Sequence, residues 1–166
     1  MTKSILAVAL TLLLFQSQSF AQRSEKLIGT WKLVSAKITT DTGEVRDAWG
    51  PNPVGFLTYT ADGRMSAILT LSSRKPLSVS DFISAPEGER AVAFATMTAY
   101  AGRYTLAGDK VIHHVEAASM PNDVGADLER MIVALDSDRL VLRVAKPYLR
   151  GGLMVRSQEL GWGRMK

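Results

Sequence analysis

Two histidines stand side by side, His113 and His114, and the chain has no others. Histidine changes charge near neutral pH, so it is the first candidate for proton transfer or for a hydrogen bond to a ligand. On an extended strand, neighbouring side chains point to opposite faces, so this pair cannot share one metal ion. The chain has no cysteine, and a zinc site would need carboxylates to complete its shell; no metal is expected. Alternation decides which histidine faces in. Val111, His113, Val115 and Ala117 form the more apolar set, and Ile112, His114 and Glu116 the more polar one. His113 is therefore expected in the interior and His114 beside Glu116 at the surface. One residue of slip would bury Glu116 without a partner, at a cost on the order of several kcal/mol.

The same test places Tyr100, Gly102, Tyr104 and Leu106 on one face, with Arg103 and Thr105 on the other; Leu57 and Tyr59 share a face in an earlier strand. Tyr59, Tyr100 and Tyr104 pointing inward with His113 would make an apolar cavity with a few convergent polar groups, the usual composition of a small-molecule site. Two readings stay open. The residues line a pocket, with His113 as a ligand contact or general base, or they are core, with His113 satisfied by a tyrosine or the backbone. Among the late arginines, Arg130 starts a strand and could line the mouth, where an anionic ligand would meet it; otherwise it is a solvated surface residue. Parity with Leu140, Leu142 and Val144 sends Arg143 outward. No Gly-x-Ser-x-Gly elbow, phosphate loop or paired-carboxylate motif is present.

Short strands joined by Asp/Gly turns must position these groups. Strands are predicted over Trp31–Thr40, Val54–Thr60, Met65–Leu71, Tyr100–Leu106, Lys110–Ser119, Leu128–Leu135, Arg139–Val144 and Leu153–Leu160. Turns such as Ala61-Asp62-Gly63-Arg64 and Ala107-Gly108-Asp109 mark an antiparallel meander. About eight to ten such strands suit an all-β, up-and-down closed barrel, which leaves no edge exposed. One helix interrupts the pattern, predicted from Ala85 to Thr98. Ser84 would be its N-cap, Pro86 lies in its first turn, and Glu87 stands three residues after the cap. Its apolar face would be Ala91, Phe94, Ala95 and Thr98. Ser72 to Asp81 reads as a loop, and Trp49-Gly50-Pro51-Asn52-Pro53 as a stiff rim or lid with an exposed Trp.

Gly29-Thr30-Trp31 opens the first strand, and a Gly-x-Trp there resembles the lipocalins. Further blocks agree. Gly50 to Ser66, Ala99-Tyr100-Ala101-Gly102-Arg103-Tyr104 and Val111 to Glu116 are similar, in that order, to blocks of the bacterial and fungal lipocalin-like domain family. The resemblance spans about residues 27–142. It implies a calycin-type barrel whose base is closed by Trp31 against a basic side chain from a late strand, for which Arg156 is the preferred partner. The family's Pro-Asn pair matches Pro121-Asn122, which makes Asn122 a candidate ligand contact; Asp123 stands where an aromatic often follows. No catalytic residue is implied.

The first residues have another task. Lys3 supplies a positive end, Ile5 to Phe15 is apolar but for Thr11, and Ser19-Phe20-Ala21 places small residues at −3 and −1 of a cleavage site before Gln22. This is the build of a secretory signal peptide, and the apolar run is too short for a membrane span of about 20 residues. Residues 1–21 are therefore expected to be removed and residues 22–166 to form one lipocalin-like barrel domain, periplasmic or secreted. The mature chain would carry 19 basic and 16 acidic residues, a net charge of +3. That is a weak field without basic runs, so neither nucleic acid nor stable membrane insertion is expected. The chain reads as an exported barrel binding a small, largely apolar molecule, with no cofactor. The alternative is a barrel enzyme using His113 and a tyrosine for proton transfer on such a molecule.

Overall fold

In the computed structural model, which describes residues 22–144 and 146–166, ten strands form one sheet. They are β1 (Gly29–Thr40), β2 (Val45–Asp47), β3 (Val54–Tyr59), β4 (Arg64–Thr70), β5 (Met97–Ala107), β6 (Lys110–Ala118), β7 (Asp127–Leu135), β8 (Arg139–Val144), β9 (Tyr148–Arg150) and β10 (Leu153–Arg164). Eight of them close antiparallel as β1-β3-β4-β5-β6-β7-β8-β10 and back to β1; β2 and β9 are short ribbons on β1 and β10. The expected signal peptide, residues 1–21, lies outside the described residues. Residues 22–27 are helical and sit at the barrel base. Among the described residues no helix is long and apolar enough to cross a membrane.

Loop lengths distinguish the two ends. Residues 60–63, 108–109 and 136–138 are tight turns at one end. The other end carries the longer connections, residues 41–53, 71–96, 119–126 and 146–152. The barrel is thus a cup with a tight base and a loop-rich mouth.

The base is built from the Gly-x-Trp segment. Trp31 is fully buried and donates its indole N–H to the Leu27 carbonyl at 2.9 Å. The guanidinium of Arg164, not Arg156, stacks on its ring at 4.1 Å. Arg164 also donates to the carbonyls of Ile28, at 2.8 Å, and of Lys26. The expected arginine was eight residues short because β10 continues through Gly161 and Gly163 to Arg164; Arg156 is exposed. Gly29 explains the motif's first position. Its φ is +133°, and a Cβ there would lie 2.6 Å from the Arg164 guanidinium. A positive φ of this size is one that glycine adopts without strain.

Three expectations at the mouth are corrected. The helix, α1, runs Glu87–Ala95, with Pro86 in the N-cap position and no side-chain cap. Ser84 is not its cap, because the Asp81 carboxylate first captures the amides of Ile83 and Ser84 in a local turn. No residue of α1 is buried; Ala91, Phe94 and Ala95 face solvent, and Thr98 belongs to β5. Trp49 is buried rather than exposed, held under the Arg150 guanidinium at 4.3 Å. Ala117 is exposed. The register shifts between Ala101 and Gly102, which pair with Ala117 and Val115, so Glu116 is an extra residue and alternation resets beyond it.

Candidate functional site in the barrel interior

Alternation carries His113 into the lumen between Val111 and Val115, all three buried. Its ring lies between two tyrosines that arrive from other strands. Nε2 meets the Tyr59 hydroxyl at 2.7 Å, and Nδ1 meets the Tyr100 hydroxyl at 3.1 Å. Tyr104 packs edge-on against Tyr59, with centroids 4.8 Å apart, and donates to the Thr60 carbonyl at 3.0 Å. The expected quartet is therefore brought together. His114 points out, at 2.9 Å from Thr105 Oγ1 and 2.6 Å from Asp127. Its surface partner is Asp127, while Glu116 is taken by Arg64 and Arg103.

Electrostatics fix the protonation of this cluster. Burial pushes His113 well below the usual imidazole range, and the positive charge of Arg130 pushes the same way. Burial likewise raises Tyr59 well above the ordinary phenol value. A neutral ring between two hydroxyls donates from one nitrogen and accepts on the other. Both ring nitrogens of this buried histidine are engaged by tyrosine hydroxyls. Tyr100, half-buried, is the member of the relay that also reaches solvent.

Arg130 faces the same lumen. Leu128 lies opposite buried His113, and Arg130 opposite buried Val111. Its Nη1 donates to the Glu129 carbonyl at 2.9 Å. On the other side, Met131 pairs with Arg143, which sets Arg130 level with Val144; the β10 partner of Val144 is Gln158. Gln158 is buried and accepts the Tyr148 hydroxyl at 2.9 Å. Burial raises Tyr148 above the ordinary phenol value, so it keeps its proton. Neither Tyr148 nor Gln158 was among the expected site residues. Gln158 could have been found, since it lies in phase with Leu160 and Trp162 on one strand. Tyr148 sits in a three-residue strand too short to show alternation.

The last candidate, Asn122, is exposed on the 3₁₀ turn Pro121–Asp123 at the mouth and is not brought into the cluster. The base half of the interior is packed by Trp31, Leu33, Leu57, Met65, Leu140 and Trp162. Toward the mouth, Tyr100, Arg130, Val144 and Tyr148 are only partly buried. Two surface depressions lie outside this lumen, one of about 310 Å³ near Arg64 and Glu116 and one of about 570 Å³ between Arg74 and α1.

A family model described as a lipocalin-like domain matches residues 28–165. A curated relative, a 4′-hydroxy-3′-methoxypropiophenone carrier protein of Aspergillus oryzae, is 35% identical over a stretch covering 46% of this chain and 76% of its own. Two solved structures are similar at 14% identity and a TM-score of 0.45, covering 84% of this chain and 99% of theirs. One is a lipocalin-like protein from Bacteroides uniformis and the other an uncharacterized protein from Bacteroides eggerthii.

Proposed function

Since the chain belongs to the lipocalin-like domain family, we propose that it is a binding protein whose barrel holds a small, largely apolar molecule in its mouth-side half. The observation that carries this reading is the partial exposure of inward-facing Tyr100, Arg130 and Tyr148 above a packed aromatic and aliphatic floor. Apolar walls with a few placed polar groups are what small-molecule sites present. A relative named as a carrier of an aromatic ketone supports the same reading. Engagement of both His113 nitrogens favours binding over proton-transfer catalysis. Export through cleavage after Ala21, to the periplasm or the exterior, is part of the proposal.

The test is titration with N-phenyl-1-naphthylamine, a neutral apolar fluorophore. Saturable one-to-one binding with a blue-shifted emission is expected. Ile132→Trp fills the lumen from β7 and should abolish the signal while the circular-dichroism spectrum stays that of a barrel. Absence of binding, or binding untouched by Ile132→Trp in a folded protein, refutes the reading.

A further inference from the structure

Several arginines and lysines of the outer surface pair with carboxylates: Lys37 with Asp47, Arg46 with Glu44, Arg64 and Arg103 with Glu116, Lys110 with Glu129, and Arg143 with Glu159. Others, such as Lys32, Arg139 and Arg156, are exposed to water instead. Arg164 and Arg150 lie on tryptophan rings. Arg130 has neither. Among the described residues it is in no ion pair, and its one hydrogen bond uses a single Nη1 proton toward its neighbour's carbonyl. The adjacent Glu129 points out of the barrel and is spent on Lys110 at 2.8 Å.

Nothing else in the lumen offers a negative charge. Among the described residues no Asp or Glu is buried; the buried polar side chains are Thr40, His113 and Gln158. Tyr59 and Tyr148 hold their protons, and His113 is neutral, so none of them offers the Arg130 guanidinium a counter-charge. A partly desolvated cation without a counter-charge is costly, and a guanidinium presents its donors as a fork suited to two oxygens. Two strands away on the same ladder row stands Gln158, whose amide protons are uncommitted because Tyr148 donates to its oxygen.

We propose that the lumenal ligand bears an anionic oxygen group, a carboxylate or an acidic phenol or enol, and that Arg130 binds it with the Gln158 amide as a neutral donor, oriented by the Tyr148 hydroxyl that donates to its oxygen. This deepens the reading of the barrel as a small-molecule binder and rests on it. The ligand is then amphipathic: its apolar body lies against Ile132, Val144 and Tyr100, and its acidic group faces Arg130.

Displacement of N-phenyl-1-naphthylamine by trans-cinnamate and by cinnamyl alcohol at pH 7.5 tests this, because the two probes share a skeleton and differ in charge. Cinnamate should displace at a concentration at least about tenfold lower than the alcohol, as a hydrogen-bonded charge pair would give. Arg130→Met should erase that ratio, with both probes referred to the variant's own affinity for the neutral fluorophore. Arg130→Gln is the second variant should the first fail to fold, and Tyr148→Phe should lower the ratio without erasing it. If the fluorophore binds but both probes displace it equally, or if Arg130→Met and Arg130→Gln leave the ratio unchanged, the anionic assignment falls and the apolar site stands. If the fluorophore does not bind at all, the underlying reading falls, and this one with it.

Discussion

Tyr59 and His113, fifty-four residues apart, face each other across the barrel with Oη and Nε2 at 2.7 Å, and both are 1% exposed. They belong to β3 and β6, which are not neighbours in the sheet, so their bond spans the lumen and ties opposite walls together. A bond in that position stabilises only when both partners are neutral and present.

The pH dependence follows from this. The folded protein holds His113 neutral, whereas an unfolded chain protonates histidine near its ordinary value of about 6.5. Below that value the unfolded state binds the extra proton, so stability falls as pH drops. The contribution is complete above about pH 6.5 and declines by up to about 1.4 kcal/mol per pH unit below it. Urea unfolding of the wild type and of His113→Gln between pH 7.5 and 5 checks this: the difference between the two should shrink toward acid pH.

Removing one partner at neutral pH should be costly in a predictable way. Tyr59→Phe leaves Nε2 buried without a partner and should cost about 1–3 kcal/mol. Tyr100→Phe, at the wetter end of the relay, should cost less, because water can replace the lost hydroxyl. Urea midpoints of equal size for the two variants would contradict the difference in burial.

At the base, Arg164→Met should remove the stacking on Trp31 and leave the carbonyls of Lys26, Ile28 and Ser137 without this donor, a loss of about 2–3 kcal/mol. Arg156→Met, on the exposed face, should stay within about 0.5 kcal/mol of wild type. The order reverses if the basic partner of Trp31 is Arg156.

Two glycines should respond in opposite directions to the same methyl group. A Cβ on Gly102 would sit 2.0 Å from the His114 carbonyl oxygen, backbone against backbone beside the bulge, so Gly102→Ala should prevent folding or destabilise severely. Gly88, in the first turn of α1, has open space around it. Gly88→Ala should be neutral or add up to about 1 kcal/mol. Thermal melts of the pair decide it.

For export, protein recovered from the cell envelope should begin at Gln22 when sequenced from its N-terminus. An intact Met1 in a cytosolic fraction would remove the proposed location.

Much of the architecture was legible because β-structure writes itself in alternation. Val111, His113 and Val115 differ enough from Ile112, His114 and Glu116 for the facing to be read directly, and the register depends on that contrast. Reading failed where alternation is interrupted or absent. The bulge at Glu116 reversed Ala117, and the ribbons Val45–Asp47 and Tyr148–Arg150 are too short to carry a pattern. Trp49 looked exposed because its burial depends on Arg150, a residue 101 positions further on that no local rule connects to it. The polar site was legible in part for the same reason. The tyrosines and His113 lie on long strands, whereas the contact of Tyr148 with Gln158 exists only once β9 folds back on β10.

The pairing of β1 with β10, with Trp31 opposite Arg164, has a kinetic consequence. The first strand of the barrel waits for the last. Until residue 164 has emerged and docked, the sheet has two open edges, and its ends must be brought together across nearly the whole domain. Such long-range closure slows folding, and an unclosed β-sheet is a template for aggregation. A chain halted before Val155 would therefore be an adhesive, open sheet rather than a smaller barrel, and residues 155–166 act as the step that commits the chain to its native state.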